Sequence, residues 1–266
     1  MTESTSQAEQ PLVRHERDER GVIRLTLNRA QAFNSLSGDM IEALQGELDA
    51  IGKDESARAV VLAAAGKAFC AGHDLKEMRA EPSQRYYEKL FTRCARMMLS
   101  IQRLPVPVIA SVQGIATAAG CQLVASCDLA VAANTARFAV SGVNLGLFCA
   151  TPSVALTRNV GRKPAFEMLV TGDFISADEA KAKGLVNRVT APEDLDAEVE
   201  KLVASIVAKP RVAIAMGKLL FYRQIETDVE RAYEDAGRTM ACNMMDESAL
   251  EGVQAFIDKR KPTWAA

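Results

Sequence analysis

Two stretches rich in small residues could bind a negatively charged group through the backbone. Residues 69–75 read Phe-Cys-Ala-Gly-His-Asp-Leu, and residues 113–121 read Gln-Gly-Ile-Ala-Thr-Ala-Ala-Gly-Cys. Each follows a predicted strand and leads into a predicted helix, where unpaired N–H groups and the helix dipole favour an anion. An oxyanion hole requires such amides, because they stabilise charge that develops on a substrate oxygen. Taken singly, each stretch is better explained by close packing of a helix on a strand.

Few side chains near these stretches could add chemistry. His73 is one of only two histidines, and its ring could transfer a proton or could simply make a local hydrogen bond. Cys149 is an intrinsic nucleophile, but free cysteines are most often buried, and no activating base is identifiable for this one. Gln122 and Asn144 can hydrogen-bond an acyl group or a water without exchanging protons. These two amides therefore suit recognition better than catalysis.

The first half of the chain predicts alternating strands and helices that would hold both stretches. The sequence from Val13 to Leu27 predicts a β-hairpin, and Ser37 can cap a helix that runs to Ile51. Buried strands are predicted at 59–62, at 108–112 and at 128–133. The order of these elements is typical of an α/β fold.

The last third of the chain predicts helices. Ser176 and Glu179 form a capping box for a short helix over 177–183, and Gly184 follows at a position that favours positive φ. From Leu195 onward, Pro210 and the segment 246–248 divide an amphipathic stretch into about three helices.

Composition and charge exclude several classes of protein. The chain has 32 Lys+Arg and 34 Asp+Glu, a net charge of −2, so a nucleic-acid partner is not expected. Its six cysteines include no C-x-x-C pair, which predicts reduced thiols without disulfides and no metal site. We expect residues 1–12 to form a disordered start without a targeting signal, and the protein to be cytoplasmic.

Two long uncharged windows, 104–127 and 138–157, require a test for membrane spans. Prolines, glycines and amides interrupt both windows, so neither predicts an unbroken helix facing lipid. We expect buried core there and no membrane span.

Longer motifs give the chain a family resemblance over nearly its whole length. In chain order they are AFCAGHDLKEM at 68–78, PVIASVQGIATAAGCQLVASCDLAVA at 107–132, FEMLVTGDFISADEAKAKGLVNRV at 166–189 and the terminal AFIDKRKPTW. With these motifs the chain resembles the crotonase superfamily, the enoyl-CoA hydratase/isomerase group. Within it, the chain looks most similar to the subgroup of enoyl-CoA hydratase domain-containing protein 3.

The resemblance implies a crotonase-type spiral of β-β-α turns, a C-terminal helical region that builds trimers, and an acyl-CoA thioester as ligand. We expect a spiral acyl-CoA-binding core over 13–194 and a helical trimerisation region over 195–266. A homotrimer or hexamer follows from the family pattern, with Leu219, Leu220 and Phe221 as candidate contacts. No cofactor is implied, because coenzyme A is part of the substrate.

The same resemblance assigns roles by position. The backbone amides of His73 and Ala119 would be the two oxyanion donors. The acyl pocket would include Ser141, Asn144 and Cys149. The residues that would bind coenzyme A are Arg29, Ala71, Asp74, Leu75, Lys76 and Lys259.

One departure from the family pattern limits the expected chemistry. The two glutamates that serve hydratases as general base and general acid match Gln122 and Gly142 here, and neither can transfer a proton. The aspartate of dienoyl isomerases matches the region of Ala150. Three readings follow: an acyl-CoA lyase, isomerase or hydrolase with an unusual proton-transfer group, a largely non-catalytic acyl-CoA-binding or regulatory protein, or a scaffold.

Overall fold

The structure is a computed structural model that describes residues 10–264. Its larger sheet contains, in spatial order, β1 (Val13–Arg17), β2 (Val22–Leu27), β3 (Ala59–Ala64), β5 (Val108–Val112), β7 (Leu129–Ala133) and β10 (Arg188–Thr190). Its smaller sheet contains β4 (Ala68–Cys70), β6 (Ile115–Thr117), β8 (Arg137–Ala139) and β9 (Ile175–Ser176). Apart from the β1–β2 and β8–β9 pairs, neighbouring strands are parallel.

Helices follow the strands in a regular order. They are α1 (Gly38–Ile51), α2 (Leu75–Ala80), α3 (Gln84–Arg103), α4 (Ala119–Ser126), α5 (Ala150–Leu156), α6 (Arg162–Thr171), α7 (Ala177–Ala182), α8 (Leu195–Val207), α9 (Arg211–Gln224), α10 (Val229–Met244) and α11 (Glu247–Ile257). From β3 to α5 the chain three times gives one strand to the larger sheet, the next to the smaller sheet, and then one or two helices. The mixed α/β class is thus confirmed, and the repeated unit is the β-β-α turn.

Local sequence signals place several of these elements where they were predicted. The hairpin pairs Val13 with Leu27, and the Ser37 side chain accepts a hydrogen bond from the Met40 N–H at the start of α1. Ser176 and Glu179 form the capping box of α7, which ends one residue earlier than predicted. Gly184 has a φ of +87°.

The start of the chain is described only from residue 10. The predicted disordered segment spans 1–12, and its first nine residues lie outside the described range. The carbonyl oxygens of Pro11 and Leu12 accept hydrogen bonds from the side chain and the backbone N–H of Asn28. These hydrogen bonds hold the residues just before β1 against the end of β2.

Residues 195–264 contain four helices, so the prediction of about three is wrong. An additional break separates α9 from α10, where the Asp228 side chain caps the new helix by accepting from the Arg231 N–H. α8 packs on the larger sheet, where Leu195, Val199 and Val203 are buried in one cluster with residues of β2, β3, β5 and β7. Its apolar side therefore completes the second layer over that sheet.

The first uncharged window lies mainly in the interior, where every residue of β5 and of α4 is buried. The second lies there only in part: residues 138–140 are buried, but residues 144–148 are exposed, so the expectation of buried core is wrong for this loop. Within residues 10–264, no helix is both long and apolar enough to span a membrane.

A buried ion pair connects α9 to the start of β7. The Lys218 Nζ lies 2.6 Å from an Asp128 carboxylate oxygen and also donates to the carbonyls of Ile101 and Val106. The Tyr222 hydroxyl donates to the other Asp128 oxygen. Burial raises the pKa of Asp128 and lowers the pKa of Lys218, and the attraction between the two charges opposes both shifts.

We predict that Lys218→Ala lowers the free energy of unfolding by about 3–5 kcal/mol, because it leaves the Asp128 carboxylate buried without its cation. Urea unfolding at fixed protein concentration measures the change. The matched control is Lys201→Ala, which breaks an exposed pair with Glu198 and should cost less than about 1 kcal/mol. Equal losses in the two variants would contradict a structural role for the buried pair.

Candidate active site

Both small-residue stretches bend through a left-handed residue just before the predicted donor. Gly72, with φ of +94°, precedes His73, and Ala118, with φ of 51° and ψ of −120°, precedes Ala119. A residue with a Cβ atom rarely adopts the backbone conformation of Ala118, which costs about 1–3 kcal/mol. The Ala118 N–H donates to the Ala139 carbonyl at 3.0 Å, which helps to hold that conformation.

The two bends are in contact. A Cβ atom on Gly72 would lie 3.0 Å from the Ala118 Cβ and 3.4 Å from the Ala119 nitrogen. One residue further on, a Cβ atom on Gly120 would lie 2.0 Å from the Cys70 carbonyl oxygen. Since only glycine allows this approach, the backbones of β4 and α4 meet directly.

Two amides remain free at this contact. Within residues 10–264, neither the His73 N–H nor the Ala119 N–H donates to a protein acceptor. The bridge between Leu36 and His73 uses the Gly72 carbonyl and the Asp74 N–H instead. Both donors are therefore available to a ligand.

The His73 ring is neutral at neutral pH. Burial lowers the pKa of His73 to about 4, and the ring packs edge-on against Phe91 with centroids 5.3 Å apart. Its buried Nε2 has no hydrogen-bond partner among the described residues. The ring therefore carries no positive charge toward a ligand.

Gln122 lies one helical turn after Ala119 and opens onto a cavity. Its side chain is buried, and its Oε1 has no partner in the described part of the chain. The cavity of about 450 Å³ lies between α3, α4, α5 and α9. Its wall includes Met98, Gln122, Asp128 and Tyr222.

The second position matched to a hydratase glutamate is closed by its own loop. The Gly142 N–H points to the Cys149 sulfur at 3.3 Å. A Cβ atom on Gly142 would lie 2.5 Å from the Leu147 carbonyl oxygen and 2.7 Å from the Cys149 sulfur. Burial raises the pKa of the Cys149 thiol, so this sulfur is not a thiolate nucleophile at neutral pH.

The other predicted acyl-pocket residues have different surroundings. The Ser141 hydroxyl lies 2.8 Å from the Thr117 hydroxyl, immediately before the strained Ala118. Asn144 is exposed, and its amide donates to the Gly172 carbonyl at the end of α6. Ser141 thus lies close to the two bends, whereas Asn144 connects the surface loop to α6.

Most of the predicted coenzyme A residues lie at the start of α2. Arg29 forms a 2.6 Å ion pair with Asp74, whose carboxylate also caps α2. Burial alone would raise the pKa of Asp74, but the hydrogen bonds from Arg29 and from two backbone N–H groups hold it below its usual value. Leu75 and Lys76 are exposed on the same turn, and Ala71 precedes Leu75 by four residues. Lys259 follows the end of α11.

The sequence reasoning missed the cavity and two residues of its wall, Asp128 and Tyr222. One signal was available, because Asp128 is the single charge that ends a run of 24 uncharged residues. A charge at that position in a buried region requires a partner, and α9 supplies Lys218 and Tyr222. No signal marked Ala118, since alanine carries no local preference for positive φ.

The sequence and the fold of this chain match those of known proteins. Residues 17–266 match the family model described as enoyl-CoA hydratase/isomerase. The crystal structure of an enoyl-CoA hydratase from Mycobacterium smegmatis has a TM-score of 0.95 and 72% identity, and the match covers 96% of this chain and 99% of that chain. The crystal structure of human enoyl-CoA hydratase domain-containing protein 3 has a TM-score of 0.92 and 41% identity, covering 96% and 100%. A Xenopus laevis protein of the same name is 46% identical over 92% of this chain and 84% of the relative.

These comparisons correct one prediction and confirm another. The predicted cytoplasmic location is wrong, because the Xenopus laevis relative and its mouse and human counterparts are named as mitochondrial proteins. Reduced thiols do not distinguish one reducing compartment from another, so the cysteine content could not decide the location. The resemblance to the enoyl-CoA hydratase domain-containing protein 3 subgroup is confirmed, and the chain belongs to the enoyl-CoA hydratase/isomerase family.

Proposed function

We propose that the protein binds a fatty acyl-CoA thioester whose carbonyl oxygen accepts from the N–H groups of His73 and Ala119. The observation that supports this proposal is the pair of free amides. Each amide follows a residue with positive φ, and the two bends are in contact. Such fixed donors stabilise an enolate more than the neutral thioester, and one donor is worth about 3 kcal/mol in the transition state. Family membership supports the same class of ligand.

Coenzyme A itself would lie along the start of α2. We place Ala71, Asp74 and Leu75 beside its adenine and pantetheine, and Arg29 and Lys76 near its phosphates. Arg29 keeps its ion pair with Asp74 in this arrangement, so only part of its guanidinium is available to a phosphate. Lys259 would reach the phosphates from the C-terminal end of the chain.

The same site favours binding over efficient hydration. Gln122 and Gly142 stand where the family pattern has its two glutamates. Two carboxylates lie in the cavity wall, but Asp128 is occupied by Lys218 and Tyr222, and Glu226 pairs with Arg158 at 2.7 Å. A positioned acid or base contributes roughly 10²–10⁴ in rate, so its loss leaves residual chemistry.

A thioester hydrolase is the alternative reaction, and it needs a nucleophile or an activated water. The neutral Cys149 thiol and the neutral His73 ring offer little support for it. We therefore rank a largely non-catalytic acyl-CoA-binding role above hydrolysis.

We also propose a homotrimer or hexamer. The C-terminal helices expose many large apolar side chains, including Val229, Tyr233, Met240, Met245 and Phe256, of which Phe256 is 85% exposed. An apolar surface of this kind is typical of an interface between subunits.

The first prediction concerns the contact between the two bends. Gly72→Ala should weaken binding of butyryl-CoA at least about tenfold, because the new Cβ strains a left-handed residue and pushes against Ala118. Calorimetric titration measures the affinity. The control is Gly146→Ala, which imposes the same kind of strain at φ of +77° but has nothing within 4 Å. Equal affinities of the two variants would contradict an oxyanion site at Gly72–His73.

The second prediction concerns hydration. We expect the unmodified protein to hydrate crotonyl-CoA roughly 10²–10⁴ times more slowly than a member of the family with both glutamates, followed by loss of enoyl absorbance. Gln122→Glu should raise the rate, because a carboxylate at this position can accept a proton. Gly142→Glu should give no gain and should lower the melting temperature, because the Leu147 carbonyl occupies the space of its Cβ. Rapid hydration by the unmodified protein would overturn the proposal.

The third prediction concerns assembly. Light scattering at micromolar concentration should give a mass of three or six times 28.7 kDa. Phe256→Asp should reduce the mass, because a charge is costly in an apolar interface. Lys201→Asp, on the exposed side of α8, should not change it. A monomer of the unmodified protein at this concentration would exclude the assembly.

A further inference from the structure

The cavity between α3, α4, α5 and α9 begins close to the candidate oxyanion site. Its wall includes Gln122, one helical turn after Ala119, and continues along α4 to Ser126. Ala95 and Met98, which share one face of α3, also line it. An acyl chain whose thioester oxygen binds the Ala119 N–H would therefore run along α4 into this cavity.

The outer end of the cavity is marked by side chains that line it and are also exposed. Four of them are apolar, and between 44% and 54% of each is exposed: Leu99, Val154, Phe221 and Ile225. They belong to α3, α5 and the end of α9. The cavity therefore opens to solvent through an apolar rim, on which a hydrocarbon chain can lose contact with water.

An ion pair connects two sides of this opening. Arg158 follows α5, Glu226 follows α9, and both line the cavity. The Arg158 Nε and Nη2 donate to the two carboxylate oxygens of Glu226 at 2.7 and 3.4 Å. Its Nη1 donates to the Val154 carbonyl at 3.0 Å, which holds the guanidinium against α5. The pair thus ties the end of α5 to the end of α9 at the cavity opening.

The Arg158–Glu226 pair is the more exposed of two ion pairs that join α9 and its following turn to earlier parts of the chain. Within residues 10–264, the other is the buried pair of Lys218 and Asp128. The Lys218 side chain is 6% exposed, whereas those of Arg158 and Glu226 are 46% and 53% exposed. An exposed pair contributes little to stability and is weakened by salt. It can therefore open while the buried pair keeps α9 in place.

Resting on the proposed function, we propose that the Arg158–Glu226 pair selects acyl-CoA thioesters by the length of their acyl chain. A short chain ends inside the cavity and leaves the pair intact. A long chain passes between the two side chains to reach the apolar rim, so its binding gives up the stabilisation of the pair. The pair therefore lowers the affinity for long chains and leaves the affinity for short chains unchanged.

Calorimetric titration with butyryl-CoA and dodecanoyl-CoA tests the proposal. Glu226→Gln should raise the affinity for dodecanoyl-CoA about threefold, the worth of an exposed pair, and should leave the affinity for butyryl-CoA unchanged. Arg158→Glu should have the same effect, because two like charges repel each other. The double variant Arg158→Glu/Glu226→Arg restores an ion pair and should return the ratio of the two affinities to that of the unmodified protein.

The matched control is Glu198→Gln. Glu198 forms ion pairs with Arg188 and Lys201 and does not line the cavity, so its replacement should leave the ratio of the two affinities unchanged.

Ionic strength gives a second readout of the pair. Salt weakens the contacts of the coenzyme A phosphates equally for both thioesters, so the ratio of affinities reports on the acyl chain alone. Added salt should raise the ratio of dodecanoyl-CoA to butyryl-CoA affinity more in the unmodified protein than in Glu226→Gln. Stronger burial of the longer chain at high salt is common to both proteins and cancels in this comparison.

The outcomes separate this inference from the function on which it rests. An unchanged ratio of affinities in both single variants would overturn the selection by chain length and leave acyl-CoA binding standing. Equal changes for the two thioesters would show that the pair acts only on the fold, and would also overturn it. No saturable binding of either thioester to the unmodified protein would overturn the proposed function and the inference together.

Discussion

The direct contact of backbone with backbone between β4 and α4 is the constraint on which the site depends. Gly120 meets the Cys70 carbonyl so closely that any side chain there would collide with it. This approach fixes where α4 begins, and the start of α4 fixes the Ala119 amide. The left-handed turn at Ala118 is the consequence, because the chain must leave β6 and enter a helix within a single residue. The packing of the surrounding core holds this strained residue in place.

The elements that could be predicted are those that local chemistry decides. The hairpin, the helix that begins after Ser37 and the capping box of α7 follow from hydrogen bonds within a few residues. The family motifs also predicted the order of the strands and pointed to the two amide positions. Fold class and the location of the candidate site were therefore accessible from the sequence.

Features that depend on distant residues were not accessible. The break before α10 is an exception, because it depends on a local cap, Asp228, which lies in a charged stretch where several residues could serve as the cap. The cavity depends on the position of α9, whose Lys218 pairs with Asp128, 90 residues earlier in the chain. The loop around Gly142 folds onto Cys149 through contacts that no local sequence pattern predicts. The cavity and this loop needed the tertiary structure.

The closed loop around Gly142 also bears on how such a protein can change over evolutionary time. The Leu147 carbonyl and the Cys149 sulfur together fill the volume that a side chain at residue 142 would need. A mutation at that codon alone meets a steric barrier, so a carboxylate could arise there only after the loop had first been reshaped. At Gln122, by contrast, glutamate has nearly the same size and shape as the present residue. A single substitution can therefore place a carboxylate at residue 122 without a steric clash, whereas residue 142 accepts one only if the loop moves.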